Sequence, residues 1–263
     1  MKRIKFFLSH YKESNTHYNP YKKFSILFFI LLIVCICLSA ILLIPQTNIP
    51  TFSGKSFFKK NTNNFSPQFT VVIDAGHGGK DPGKVGFSGS LEKNINLQIA
   101  LNLKDILEAQ DINVIMTREE DKELTTNDTN RKISDMKERV NLIEENHANL
   151  VISIHQNSYT SPEVYGAQCF YRTNSPEGKE LASIIQNQII TSTNQTKIRD
   201  IKGNSDYYLL KYSPIPTVIA ECGFLSNPEE EKLLLSEEYQ RKVAWAIHLG
   251  VLQYLNQKGS RSK

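Results

Sequence analysis

At 263 residues the chain has room for one sizeable domain and an appendage, and too little for two full-sized enzyme domains. Its 40% apolar and 22% charged residues are ordinary for a globular protein, with no repeat or low-complexity tract. The formal charge of +4 comes from the ends of the chain: residues 1–23 hold six Lys and Arg against Glu13 alone, whereas residues 69–257 hold 19 Lys and Arg against 26 Asp and Glu, a balance of about −7, which excludes nucleic acid as a partner of the folded part.

In chain order, the basic segment 1–23 is followed by an uncharged apolar run from Phe24 to Ile44. A helix of that length crosses a hydrocarbon core of about 30 Å, and Pro45 ends it. The Lys and Arg before the run orient it with a cytoplasmic N-terminus, so residues 24–44 are expected to be a signal anchor that leaves everything after Pro45 outside the membrane. A cleaved signal peptide is the competing reading, but the run exceeds a usual apolar region and no A-x-A site follows it. A lipoprotein is disfavoured because bulky Val34 and Ile36 precede Cys35 and Cys37.

Residues 45–68 are polar, aperiodic and rich in Asn, Ser and Thr, and read as a linker. The folded domain is expected over 69–256, with a short tail at 257–263. Apolar runs predict strands at 69–74, 112–116, 150–155 and 216–220, and looser alternation a strand at 166–171. Helical spacing predicts helices over 91–110, 131–148 (from Ile133, Met136, Val140 and Ile143), 176–192 and 237–255. Short apolar strands alternating with amphipathic helices imply an α/β domain with a largely parallel or mixed sheet covered on both faces. Cys169 and Cys222, the two exported cysteines, read as small buried hydrophobes in strands; the sequence does not show that they meet.

Three of the apolar strands run out into a polar residue that a core would reject: VVIDAG into His77, LVISI into His155, and PTVIA into Glu221. In an open parallel sheet the carboxyl ends of the strands form one rim, where ligands bind. Glu92, at the start of the following helix, can face the same rim. Two imidazoles and a carboxylate suit zinc with an open fourth position, and a second carboxylate can then move protons in amide hydrolysis. Blander readings exist for each residue. His77 can be a turn residue among glycines, His155 a hydrogen-bonded histidine at a strand end, and Glu92 a helix N-terminal acid. GHGGK lacks the spacing of a phosphate-binding loop.

The segments VVIDAGHGGKDPG, LEKNINLQIALNLKDIL, VIMTR, RVNLIEENHANLVISIHQN and AECGFLSNPEEEKLLL occur in order between about Phe69 and Tyr254. They resemble the blocks of the zinc-dependent N-acetylmuramoyl-L-alanine amidases. The resemblance implies a twisted mixed sheet flanked by helices, and hydrolysis of the lactyl amide joining N-acetylmuramic acid to L-alanine in peptidoglycan. It places one zinc on His77, Glu92 and His155 and the acid/base role on Glu221. The length, the missing wall-binding repeats and the stretch from Met116 to Glu145 are most similar to the germination-specific, spore-cortex branch, which implies formation of the precursor of muramic-δ-lactam. Ala75 stands where that branch usually has proline, and Cys222 follows the glutamate; neither is a ligand position.

Asn157 and Arg118 are candidate substrate contacts, against the alternatives of a self-bonded loop asparagine and a structural ion pair. His147 and His248 receive no role, the latter being read as a surface or partly buried helix residue, and His10 and His17 lie on the cytoplasmic side of the expected anchor. A wall-binding scaffold and a metallopeptidase cutting within the stem are the rival functions. A regulatory protein partner is compatible with the sequence, though no residue points to one.

Overall fold

The structure, a computed structural model, describes residues 69–125 and 129–261. The expected anchor at 24–44 and the linker at 45–68 lie outside the described residues. Among the described residues no helix is long and apolar enough to cross a membrane.

Strand β1 (Thr70–Ala75) is buried from Val71 onward, as a strand covered on both faces must be. It pairs in parallel with β2 (Asn113–Met116) on one side and β3 (Leu150–Asn157) on the other. β3 pairs in parallel with β6 (Thr217–Phe224). There the parallel run ends, because β4 (Gln168–Arg172) lies antiparallel to β6 and carries the edge strand β5 (Lys202–Asn204). The sheet order is β2-β1-β3-β6-β4-β5, so the expected sheet is mixed, with four parallel strands and a reversed edge pair.

The pleat sends alternate side chains to opposite faces. Val71, Ile73, Leu150, Ile152, Val218 and Ala220 face the larger core under α1 (Glu92–Glu108), α3 (Pro176–Thr193) and α6 (Glu237–Arg261). Val72 and Val151 face a smaller core under α2 (Arg131–Glu145) and α4 (Tyr208–Tyr212). Cys169 and Cys222 are free thiols buried in the larger core. Two helices begin at an identifiable cap: Ser175 Oγ accepts from Gly178 N before α3, and Asn227 Oδ1 accepts from Glu230 N before α5 (Pro228–Leu234), each with proline at the first position.

Several expectations need correction. β5, α4 and α5 are too short to show a period in the sequence. Ile133 is 53% exposed, so the buried stripe of α2 is Val140 and Ile143 with Met136 at its margin. Its helix stops at Glu145, and His147 adopts a left-handed φ of 47°. α6 continues to Arg261, through most of the expected tail. His248 is not at the surface but 2% exposed, with the Trp245 ring tilted against it at 4.9 Å.

On the face turned to α2, Asp74 is buried beside Arg139, whose Nη1 donates to Asp74 Oδ1 at 2.5 Å. Thr117 Oγ1 and Ser153 Oγ also donate to this carboxylate. Burial pushes Asp74 upward, but the Arg139 charge and the Ser153 hydrogen bond outweigh it and hold the group at about 2, from an ordinary 3.8. A carboxyl depressed on folding stabilises the fold fully above its unfolded value and loses that contribution as pH falls. Stability from Asp74 is therefore expected to decline between pH 3.8 and about 2. Arg139→Met leaves the carboxylate buried and unpaired; a loss of about 3–5 kcal/mol is expected in urea unfolding, and Asp74→Asn in the same chain should recover part of it.

Candidate metal centre and catalytic cleft

The site forms where β1, β3 and β6 end. β1 leaves the sheet at Ala75, and Gly76 N still donates to Ile154 O. A Cβ on Gly76 would collide with the His155 imidazole ring, so only glycine lets the chain pass there. His77 follows in the left-handed region, with φ 62°. That strained turn is pinned by its carbonyls: Arg139 donates to Ala75 O and His77 O, and Arg118 donates to Ala75 O and Gly76 O.

On β3 and β6 the same pleat that buries Ile154 and Ala220 turns His155 and Glu221 into the cleft, where they are register partners. Glu92 enters from the first turn of α1. Its Oε2 lies 3.1 Å from His77 Nε2 and accepts from Lys84 N at 2.8 Å. Its Oε1 lies 3.0 Å from His155 Nδ1 and accepts from Gln156 N and Asn96 Nδ2. One ligand atom from each of His77, Glu92 and His155 lies within 4.8 Å of the others. Tetrahedral zinc with bonds of 2.0–2.2 Å sets its ligand atoms about 3.3–3.6 Å apart, so the donor set fits such an ion with small adjustment. The outer nitrogen of His77, Nδ1, meets Asp81 Oδ2 at 2.8 Å, the carboxylate contact that orients metal-binding histidines.

The two cleft carboxylates sit in opposite surroundings. Burial raises Glu92, but hydrogen bonds from His155 and His77 overcome it and hold the group well below the carboxylate range. Burial pushes Glu221 up to about 7, opposed by His155 and His77 and reinforced by Glu92. Glu221 Oε2 is buried and accepts no hydrogen bond among the described residues. Burial lowers His155, but Glu92 outweighs that effect and raises the imidazole to about 9.

The cleft, about 890 Å³, continues past Asn157, Tyr207, Tyr208, Lys84 and Lys132. Asn157 lines it, while its Oδ1 accepts from the neighbouring Ser158 N. Arg118 is placed otherwise than as a substrate contact: it is 2% exposed, and its guanidinium donates to the carbonyls of Ala75, Gly76, Lys93 and Glu120. Sequence reasoning missed Asp81, Asn96 and Tyr207. Asp81 at i+4 from His77 carries a weak local signal; the other two carry none.

Residues 71–253 match the family model described as N-acetylmuramoyl-L-alanine amidase. The chain belongs to this family. The germination-specific N-acetylmuramoyl-L-alanine amidase of Bacillus subtilis is 40% identical over 193 residues, 72% of this chain and 81% of the relative. The structure of the CwlD amidase from Clostridioides difficile, in complex with the GerS lipoprotein, has a TM-score of 0.69 at 41% identity and covers 72% of this chain and 98% of that one. An N-acetylmuramoyl-L-alanine amidase from Clostridium difficile 630 has a TM-score of 0.67 at 34% identity, covering 73% and 100%. As a family member the chain is an enzyme, an amidase of peptidoglycan, and the cleft is where its chemistry has room to occur.

Because the Gly76 position faces the His155 ring, Gly76→Ala is expected to displace that imidazole. Metal affinity should fall by about 10–100-fold, the range for disturbed ligand support, in a competition titration against a chromophoric chelator.

Proposed function

We propose that this amidase cleaves the amide between the lactyl group of N-acetylmuramic acid and L-alanine, with one zinc ion held by His77, Glu92 and His155 and with Glu221 as its acid/base. When bound, zinc supplies Lewis acidity to the carbonyl and makes water acidic enough to attack near neutral pH. Glu221 Oε2, facing the cleft without a partner, accepts a proton from the attacking water. As the carbon–nitrogen bond breaks, Glu221 returns that proton to the alanine nitrogen. A lactyl carboxylate and a peptide with a free alanine amine leave. Asp81 keeps His77 oriented, and Asn96 and Gln156 keep Glu92 ionised and aimed. The observation that carries the reading is the unpartnered, buried Glu221 oxygen beside three convergent donors in one cleft.

The relative from Bacillus subtilis is named germination-specific, which supports action on spore cortex and the muramic-δ-lactam precursor as product. The CwlD structure holds a lipoprotein, which supports a protein partner for this chain as well. Residues 24–44 are proposed to anchor the enzyme with its catalytic domain outside the cytoplasmic membrane.

Full-length protein in detergent, stripped of metal and given zinc, should release both amino-terminal alanine and peptide-free muramic acid from purified peptidoglycan. New termini at an internal stem residue would instead indicate a peptidase. Glu221→Gln should bind zinc as the parent does while turnover drops by about a hundred- to ten-thousand-fold. Near-normal activity of that variant would overturn the assigned role.

Glu221 must be ionised to accept a proton, so activity should rise with pH through an acid limb. The carboxyl sits at about 7, and a cation bound nearby would lower it. The apparent pKa of kcat/KM is therefore expected below about 7, and the pH–rate profile checks it.

A further inference from the structure

The charged groups around the cleft are almost all committed within the protein. Asp74 and Asp135 pair with Arg139, Glu123 pairs with Arg131, and Asp81 and Glu92 meet the two histidines. Lys84 and Lys132 differ. Both line the cleft and are exposed, and neither forms an ion pair among the described residues. Lys84 follows Gly83, and its own amide is bound to Glu92 Oε2, which fixes its Cα beside the donor cluster. Lys132 stands in the first turn of α2, close enough to Asp81 to act on its charge.

That turn of α2 carries Arg131 and Lys132 and no acid, and Asn130 provides no side-chain cap. Cations there oppose the helix dipole, whose positive end favours anions. The arrangement weakens the helix locally and leaves Lys132 exposed beside the cleft, on a domain whose overall balance is acidic. Tyr207 and Tyr208 also line the cleft, the ring of Tyr207 set edge-on against Phe170 at 5.4 Å and its backbone held by Asn204 Oδ1, while Tyr208 packs against the smaller core under α2. The buried Glu221 oxygen, without a hydrogen bond among the described residues, marks the part of the cleft beside it as the place where a ligand's polar atoms are expected.

The substrate offers groups of both kinds. A muramoyl sugar is neutral and rich in C–H faces, whereas the stem becomes anionic at its second residue when that residue keeps its α-carboxylate. Two residues of extended chain reach about 7 Å, within what an extended lysine side chain and one hydrogen bond together span. We infer that Lys84 and Lys132 form a carboxylate-binding rim that selects stems whose second residue carries a free α-carboxylate over stems in which it is amidated. The inference rests on the amidase reading of the same site. Lys84 and Lys132 would each donate a charge-assisted hydrogen bond to that carboxylate, and the rings of Tyr207 and Tyr208 would receive the sugar.

The test uses the full-length, zinc-loaded enzyme on glycan strands whose stems carry either D-glutamate or its α-carboxamide at the second position. The parent should prefer the free acid in kcat/KM by about tenfold or more, the scale of one or two hydrogen bonds to a charged group, and the preference should shrink as salt rises. Lys84→Ala with Lys132→Ala should bring the ratio close to one, and Lys84→Arg with Lys132→Arg should restore most of it. Thermal unfolding and zinc titration verify that each variant is folded and loaded. A parent with no preference, or a ratio that the alanine pair leaves unchanged, overturns the rim. Failure of the parent to cleave either strand type would count against the amidase reading itself, which keeps the two failures apart.

Discussion

Two buried guanidinium groups hold the exit of β1, and the donor cluster is arranged around that exit. The chain leaves the sheet at Ala75, passes Gly76 and turns left-handed at His77, so three successive carbonyls lose ordinary strand partners while still shielded from water. Each would cost about 1–3 kcal/mol if left unbonded. Arg139, from α2, and Arg118, just beyond β2, donate to all three. Burying cations is itself unfavourable, and Asp74 and Asp135 offset it at Arg139 through a network in which every partner is bonded. A left-handed histidine among glycines is thereby held as a rigid part of the fold, with its imidazole in one direction.

The pleat does the rest of the placement. On β1, β3 and β6 the residues of one parity, Ile73, Ile152, Ile154, Ala220 and Cys222, belong to the larger core. Those of the other parity form the polar line of Asp74, Ser153, His155 and Glu221. Core formation and site assembly are one event, since a slip of one residue in any of these strands would put its polar group in the core and an apolar residue in the cleft. The shift in register between His155 and Asn157 loosens the pairing before it resumes at Asn157 and Phe224.

Two glutamates share the cleft and are driven apart by their surroundings. Glu92 is bonded on both oxygens by imidazoles and amides and stays ionised. Glu221 is buried with one oxygen unbonded, and its carboxyl rises to about 7. A carboxylate held permanently charged suits a proposed ligand, and one poised near neutrality suits a proton carrier. Hydrogen bonding, rather than distance from the metal position, separates the roles.

What the sequence determined by itself was local. Continuous apolar runs gave the parallel strands, helical spacing gave the long helices, and polar residues at the ends of VVIDAG, LVISI and PTVIA marked His77, His155 and Glu221 as out of place in a core. The ordered blocks carried the family. The anchor at 24–44 is likewise a reading of the sequence alone. Tertiary structure decided what depends on contacts between distant segments. It gave Arg118 to backbone carbonyls, set Asp81 behind His77, buried His248 and brought Tyr207 to the cleft from the N-cap of a five-residue helix too short to leave a period. Among the described residues it also left Lys84 and Lys132 exposed beside the cleft without an ion pair. Apart from the weak local signal of Asp81, none of these is visible in one dimension, because hydrogen-bond partners, burial and charge environment are fixed by which elements meet, whereas strand and helix periods are fixed by the neighbours each residue has along its own chain.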